Sequence, residues 1–213
     1  PLIFAGAAAL GAQDQMENRI LTRLSSPLEV AVQEPMTIRT LFTTAIRSSG
    51  IGGGIVLKDD CAIERRISVP HGATARQLLE EITNARKDLV WSVRNGMVHM
   101  EPHSNVEILD VVISTITISN PENLQNSVRQ LLLAEEVKEK VHQLALKEVP
   151  MRVGFTVIPR QGSTRSHPLP LRLTNITLRQ ALNILAVRGP SVWVYREELC
   201  GIERRFTISF DVQ

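Results

Sequence analysis

The sequence predicts an α+β fold of two small repeated modules, each with helices packed on a short mixed or antiparallel sheet. Similar six-residue segments occur three times in the 213-residue chain, as TIRTLF, TARQLL and TLRQAL, starting at Thr37, Thr74 and Thr177. Each threonine is a suitable N-cap, and the apolar residues after it recur at helical spacing. Strand-like sequence follows each copy, so a unit of helix and strands recurs along the chain.

Two tryptophans mark the end of the repeat. Trp91 and Trp193 follow the second and third threonines at nearly the same distance, inside the similar phrases VWSVR and VWVYR. We therefore divide the chain into a first module over residues 27–103 and a second, divergent module over residues 105–213. A chain of this length has room for two modules of about 100 residues each.

Composition excludes some classes of function. Hydrophobic residues make up 43% of the chain, enough for a real core, but aromatic residues make up only 4%. A base-stacking platform for single-stranded nucleic acid is therefore not expected. The formal net charge of +2 shows no concentrated basic excess, so we predict no nucleic-acid partner.

The N-terminus predicts export. Residues 1–12 are apolar and small, and a polar run begins at Gln13, which is typical of the end of a signal peptide. We interpret residues 1–12 as a signal-peptide remnant and residues 13–26 as a linker; the alternatives are a short anchor or a buried N-terminal helix. Twelve residues fall short of the roughly 20 that span a bilayer, and no other stretch reaches that length, so no membrane span is predicted.

The first module begins with a strand predicted over residues 28–32, followed by the Thr37 helix, which Gly50 ends. Strands are expected over residues 51–57 and 66–69, on either side of a turn-like stretch at residues 58–60. After the Thr74 helix, strands over residues 89–94 and 97–100 flank Asn95-Gly96, a strong signal for a tight hairpin turn.

The second module opens with a long β-branched strand over residues 108–118. Asn120, Pro121 and Glu122 predict a helix start, and the helical pattern runs to residue 144 with a break near Ala134. A strand over residues 153–158, an exposed loop over 159–168 and a strand over 169–173 precede the Thr177 helix, which ends at residues 189–190. Residues 192–196 and 204–212 should then pair as a hairpin around a turn at residues 197–201.

The best-marked segments are SVPHGAT at residues 68–74, VWSVRNGMV at residues 90–98 and LRLTNITLRQAL at residues 171–182. With these segments the chain resembles the secretin and TonB short N-terminal domain family. The resemblance covers about half of the chain and rests on core and capping residues, so it implies a fold more than an activity. It also implies a periplasmic location and docking to other envelope proteins, such as secretion components or anti-sigma regulators.

No catalytic, cofactor-binding or metal site is predicted. The glycine-rich stretch at residues 49–54 lacks the Lys-Ser/Thr that a phosphate-binding loop requires, and it follows a helix rather than opening one. Copper-type ligands are present in Met97, His99, Met100 and His103, but alternation along a strand would point Met100 away from Met97 and His99. The histidines adjoin no nucleophile motif, so we predict that the protein is not an enzyme.

Arginines at three equivalent positions are candidate partner-facing residues. Arg39, Arg76 and Arg179 each lie in a first helical turn, where a cation meets the positive end of the helix dipole at a cost of up to about 1 kcal/mol. They are expected either to bind carboxylates across an interface, or to extend into water while the apolar part of each side chain covers apolar surface of the protein.

Cys61 and Cys200 begin the matching phrases CAIERR and CGIERR. An even count of two in an exported chain permits a disulfide between the two halves, and the alternative is two unpaired thiols.

The function expected from the sequence is that of a non-catalytic, periplasmic or otherwise exported protein-interaction and assembly module, without cofactors. Its partner would be another envelope protein concerned with secretion, transport or regulation. The alternative is a small-ligand carrier or sensor that binds its ligand between the two modules. An exposed strand edge would favour docking. An apolar pocket between the modules would favour the carrier.

Overall fold

A computed structural model describes residues 4–28, 35–60, 66–69, 71–149, 169–188 and 191–211. Across these ranges the chain is an α+β protein, as the sequence predicts. The helices are α1 (Phe4–Leu24), α2 (Ile38–Ser48), α3 (Ala75–Ala85), α4 (Leu124–Leu132), α5 (Glu135–Gln143) and α6 (Leu178–Arg188). The strands are β1 (Met36–Thr37), β2 (Gly52–Asp60), β3 (Arg66–Ile67), β4 (Leu89–Arg94), β5 (Met97–Pro102), β6 (Val112–Ile118), β7 (Leu146–Glu148), β8 (Leu171–Thr177), β9 (Val192–Cys200) and β10 (Glu203–Asp211).

One six-stranded mixed sheet organises the molecule, in the order β4-β5-β2-β9-β10-β7. β4 and β5 form an antiparallel hairpin, as do β9 and β10. β2 lies between the hairpins and runs parallel to both β5 and β9. Two small antiparallel pairs, β1 with β3 and β6 with β8, complete the strands.

The central sheet is buried on both faces. Along β9, Val192 and Val194 belong to a buried cluster that includes residues of α1, α2 and α3. Trp193 and Tyr195 belong to a second cluster, which includes residues of α4, α5, α6 and the β6-β8 pair. Since successive side chains of a strand point to opposite faces, β9 contributes to both cores. The sheet is thus the middle of three layers.

Strands from both halves of the sequence share this sheet, so two separate repeated modules are not confirmed. β2 pairs with β9 over eight residue pairs, from Gly53↔Val192 to Asp60↔Leu199. Gly54 permits the contact: a Cβ added there would lie 2.2 Å from Cε2 of Trp193, so the indole of the second half packs directly on the backbone of the first.

The repeated phrase does start three helices. The Thr37 hydroxyl accepts a hydrogen bond from the Thr40 amide, and Thr74 forms a reciprocal capping box with Gln77. The Thr177 hydroxyl likewise accepts from the Gln180 amide at 3.1 Å. Each cap satisfies an amide that the first helical turn leaves without a partner, which is why the phrase predicts helix starts correctly.

Both predicted hairpins are present. Asn95 and Gly96 have φ of 53° and 76°, the left-handed values that a tight two-residue turn requires. Trp91 and Trp193 lie on the first strands of the two hairpins, β4 and β9, as expected from the repeat. Their environments differ, since Trp193 is fully buried and Trp91 is half-buried.

Several boundaries differ from the expectations. The stretch interpreted as a linker, 13–26, is helical as far as Leu24, because Ile20 and Leu24 lie one turn apart and are buried in the core. Across the part of the chain the structure describes, no helix, α1 included, is long and apolar enough to cross a bilayer. The signal-peptide interpretation of residues 1–12 stays a prediction.

The expected turn at residues 58–60 is wrong: β2 continues through Asp60 beside β9, and β3 pairs with β1 instead. The helix start expected at Asn120 is displaced to Asn123, whose side chain caps α4, while the Asn120 side chain accepts from the amides of Glu122 and Asn123. β9 likewise continues through Cys200, past the turn expected at residues 197–201.

The predicted break near Ala134 is present, because α4 ends at Leu132 and α5 begins at Glu135. The expected strand over residues 153–158, the loop over 159–168, the helix stop at 189–190 and all but the first residue of the strand over 28–32 lie outside the described residues.

Candidate functional site

An open cleft lies between α4 and the outer edge of the central sheet. This groove has a volume of about 740 Å³. Val128 of α4 and the β10 residues Ile208 and Phe210 line it on the core side, and these three side chains are nearly buried. The rim carries two exposed apolar side chains, Leu133 and Val149, which are 56% and 38% exposed. The apolar floor of the groove therefore continues into two apolar side chains that are exposed to solvent.

The polar residues of the groove are mostly uncharged. They are Asn123, Gln125, Asn126 and Ser209, with Arg129 and Glu148 as the two charged members. Asn123 caps α4, so its side-chain oxygen is already used by the Asn126 amide. The groove holds one charge of each sign, and it suits a largely uncharged segment better than an ion.

A strand edge borders the same groove. β7 pairs with β10 only from Arg204 to Phe206, and the Val149 amide then donates to the Phe206 carbonyl at 2.9 Å. Among the described residues, the outer side of β10 has no further strand partner beyond Phe206. The backbone from Thr207 to Asp211 continues this edge of β10 beyond β7.

The smaller cleft, of about 370 Å³, lies where the two halves of the chain meet. Its walls come from α1, the α2–β2 turn, Gly96 of the first hairpin and the end of α6. Met16, Ile20, Ile51 and Val187 make most of it apolar, and two arginines of α1 complete it. Sequence reasoning anticipated a pocket between modules only as an alternative and did not place it.

The three candidate arginines do not converge. Arg39 binds Asp211, whose carboxylate also accepts from the Thr43 hydroxyl at 3.1 Å. Arg179 binds Glu101 and lies 3.5 Å from Asp110, and its side chain is 18% exposed. These two arginines join α2 and α6 to strands of the sheet.

Arg76 differs from the other two, because its side chain is half exposed and pairs only with Glu80 on its own helix. The contact of any of the three with a partner stays a prediction.

His99 is a buried ionisable group near the sheet centre. Its side chain is 3% exposed and lies across β2 from Trp193, with ring centroids 6.2 Å apart. Burial lowers its pKa to about 4, although the Glu101 carboxylate, 3.7 Å from Nδ1, opposes this shift. Among the described residues, Nδ1 of His99 has no hydrogen-bond partner.

The alternation of side chains expected along β5 is present. Met97 and Met100 belong to the two different buried clusters, on opposite faces of the sheet. Among the described residues, no group of three or more His, Cys, Asp and Glu side chains is arranged to hold a metal ion.

Other ionic contacts stabilise strand ends. The Arg204 guanidinium binds Glu197 at 2.6 Å, and the Tyr195 hydroxyl donates to the same carboxylate at 2.8 Å. Burial raises the pKa of Tyr195, so the phenol stays protonated. Arg86 binds Asp88 and Asp59 in a similar way, and the hydrogen bonds to these carboxylates raise its pKa. These groups hold the fold and aim no reactive atom into either cleft.

Cys200 ends β9 and is not a free thiol. Cys61 lies outside the described residues, so the pairing of the two cysteines stays a prediction. It has support from the register, because the preceding residues, Asp60 and Leu199, are partners on adjacent parallel strands. Neighbouring strands lie about 4.8 Å apart, within the Cα separations that disulfides span.

Sequence reasoning missed the groove residues. A signal was present in the run Leu131-Leu132-Leu133, because three consecutive leucines cannot all face the core at helical spacing. Leu131 is fully buried, whereas Leu133, at the helix end, is left in solvent. The other wall, β10, is remote in sequence and could not be assigned to α4 from the pattern alone.

A scan against protein-family models, a search of curated proteins and a search of solved structures each found no match to the chain. The functional argument therefore rests on the geometry of the two clefts.

Proposed function

We propose that the chain is a non-catalytic, exported protein-interaction module that docks another envelope protein in the groove between α4 and β10. The observation that carries this proposal is the apolar groove bordered by the edge of β10, which has no strand partner beyond Phe206 among the described residues. Exposed apolar residues beside an apolar cleft are typical of a site that a partner covers. Leu133 and Val149 are the two such residues on this rim.

The expected partner element is an extended, largely uncharged segment that adds to β10 as a strand. Backbone groups from Thr207 to Asp211 would supply its hydrogen bonds, and alternate side chains would enter the groove beside Ile208 and Phe210. Specificity would come from Leu133 and the amide side chains on the rim. The segment 150–168, which follows Val149, lies outside the described residues and is an alternative occupant that the experiment must separate.

Export has support of two kinds. Cys200 is not a free thiol, and disulfides persist mainly in oxidising compartments such as the periplasm. The resemblance to the secretin and TonB short N-terminal domain supports the same location.

The test is site-specific photo-crosslinking in cells, with the crosslinker placed at residue 133. The matched control is residue 202, since Ile202 is fully exposed and lies in the β9–β10 turn, away from the groove. We expect a discrete adduct with one envelope protein from position 133 and none from position 202. The purified partner should bind the protein in solution, and Leu133→Asp should weaken this binding at least tenfold while Ile202→Asp leaves it unchanged.

Crosslinks from position 133 only to the chain's own residues 150–168 would show that this segment fills the groove, and the docking proposal would be wrong. Equal adducts from positions 133 and 202 would mean that exposure alone determines capture.

A further inference from the structure

The smaller cleft carries an inference that goes beyond docking and uses different residues. Its volume of about 370 Å³ lies in the range of small-molecule sites. Met16 and Ile20 of α1 face Val187 of α6 across the opening, and the α2–β2 turn closes one end. Gly96 permits the close approach of Met16, because a Cβ at this position would lie 3.1 Å from the Met16 sulfur.

Two positively charged side chains lie on this wall. Arg19 and Arg23 lie one helical turn apart on α1, where like charges repel. In the described part of the chain, neither guanidinium has an ion-pair or side-chain hydrogen-bond partner, and no acidic residue lines the cleft. The negative end of α1 favours Arg23, which lies in its last turn, but it acts less on Arg19.

Eight arginines of the described residues behave differently. Arg39, Arg86, Arg179 and Arg204, for example, each bind a carboxylate of the protein itself. Guanidinium groups recognise carboxylates in a fork geometry. The two arginines of α1 are therefore suited to bind a carboxylate that comes from outside the chain.

We propose that this cleft binds an amphiphile with an apolar chain and a single carboxylate head. The chain would lie against Met16, Ile20 and Val187, and the carboxylate would bind Arg19 and Arg23. A singly charged head fits better than a phosphate, because α2 and α6 both end at the cleft and direct the negative ends of their dipoles toward it. A doubly charged anion would be repelled more strongly.

The experiment is calorimetric titration of the full chain with octanoate as the probe. We expect a dissociation constant below about 1 mM. Octanol retains the apolar chain without the charge, acetate retains the carboxylate without the chain, and octyl phosphate carries the larger charge. Each of the three should bind at least tenfold more weakly than octanoate.

Variants locate the binding. Arg19→Gln and Arg23→Gln should each weaken octanoate binding about tenfold, as expected for loss of one charge-assisted hydrogen bond. Arg76→Gln is the matched control, because it removes an exposed helical arginine from α3 and should leave the affinity unchanged. Thermal melts of all three variants establish that the fold is retained.

The proposal is overturned if octanoate fails to bind, if octanol or octyl phosphate binds equally well, or if the two α1 variants bind like the control. Leu133→Asp should bind octanoate normally, so failure at this cleft and failure of the docking groove are distinguishable.

Discussion

Adding one methyl group at successive glycines of β2 should destabilise the protein in a graded way. Gly52, Gly53 and Gly54 occupy consecutive positions at the start of the strand that joins the two hairpins. A Cβ on Gly52 would meet its nearest atom at 3.5 Å, an ordinary contact, whereas on Gly53 it would lie 3.1 Å from two carbons of Ile46. On Gly54 it would lie 2.2 Å from the Trp193 ring.

The magnitude follows from what can move. Trp193 is fully buried, and its Nε1 donates to Asn183 Oδ1 at 2.8 Å, so the ring cannot swing away without losing that bond. Overpacking costs about 1–3 kcal/mol, and loss of a buried hydrogen bond adds about 1 kcal/mol. The lower backbone entropy of alanine in the unfolded chain returns about 0.5–1 kcal/mol. Gly54→Ala should therefore lower the free energy of unfolding by about 2–3 kcal/mol.

Urea denaturation followed by tryptophan fluorescence measures this free energy, with near-ultraviolet circular dichroism to report the environment of the indole. Gly52→Ala is the matched control and should lie within about 0.5 kcal/mol of the parent protein, with Gly53→Ala between the two. The packing of Trp193 on Gly54 would be refuted if Gly54→Ala were as stable as Gly52→Ala.

Three further predictions concern other parts of the fold. Denatured, non-reduced protein should contain no titratable thiol, and reduction of a Cys61–Cys200 disulfide should remove about 5 kcal/mol of stability; two free thiols would contradict the pairing. The pKa of buried His99 is about 4, below its value near 6.5 in the unfolded chain, so the unfolded state binds more protons between these values. Stability should therefore fall by up to about 3 kcal/mol as the pH drops from 6.5 to 4, and an equal slope in His99→Gln would refute this. Thr74→Ala should destabilise by about 1 kcal/mol in denaturant melts, whereas Thr74→Ser should not; equal loss in both would show that the cap hydroxyl is not responsible.

Features that depend on a few neighbouring residues were predictable from the sequence. The threonine caps, the Asn95-Gly96 turn and the break near Ala134 each depend on a few neighbouring residues, and all three are present. The helix start at Asn120 was misplaced because two asparagines three residues apart both have a side chain suited to capping amides, and only contacts of the folded chain select Asn123.

Partner choice between strands was not predictable in the same way. β2 was expected to stay within its own half of the chain, but it pairs with β9, more than a hundred residues away. Glycine is a weak strand former, so the sequence alone does not indicate that Trp193 packs on Gly54. Only the folded structure shows this contact. Both clefts likewise combine residues from distant segments, so the pattern indicated an interaction protein without locating its surfaces.

The central position of β2 has a consequence for biosynthesis. The strand acquires its second neighbour only when β9 has emerged, so the sheet cannot close until synthesis has passed residue 200. Pairings of such long sequence separation form slowly, and an unpaired strand edge invites aggregation in the interval. A chaperone that holds the nascent first half would act in this interval. We accordingly expect residues 27–103 expressed alone to aggregate, since Val56 and Met97 would lack the cover that the second half provides.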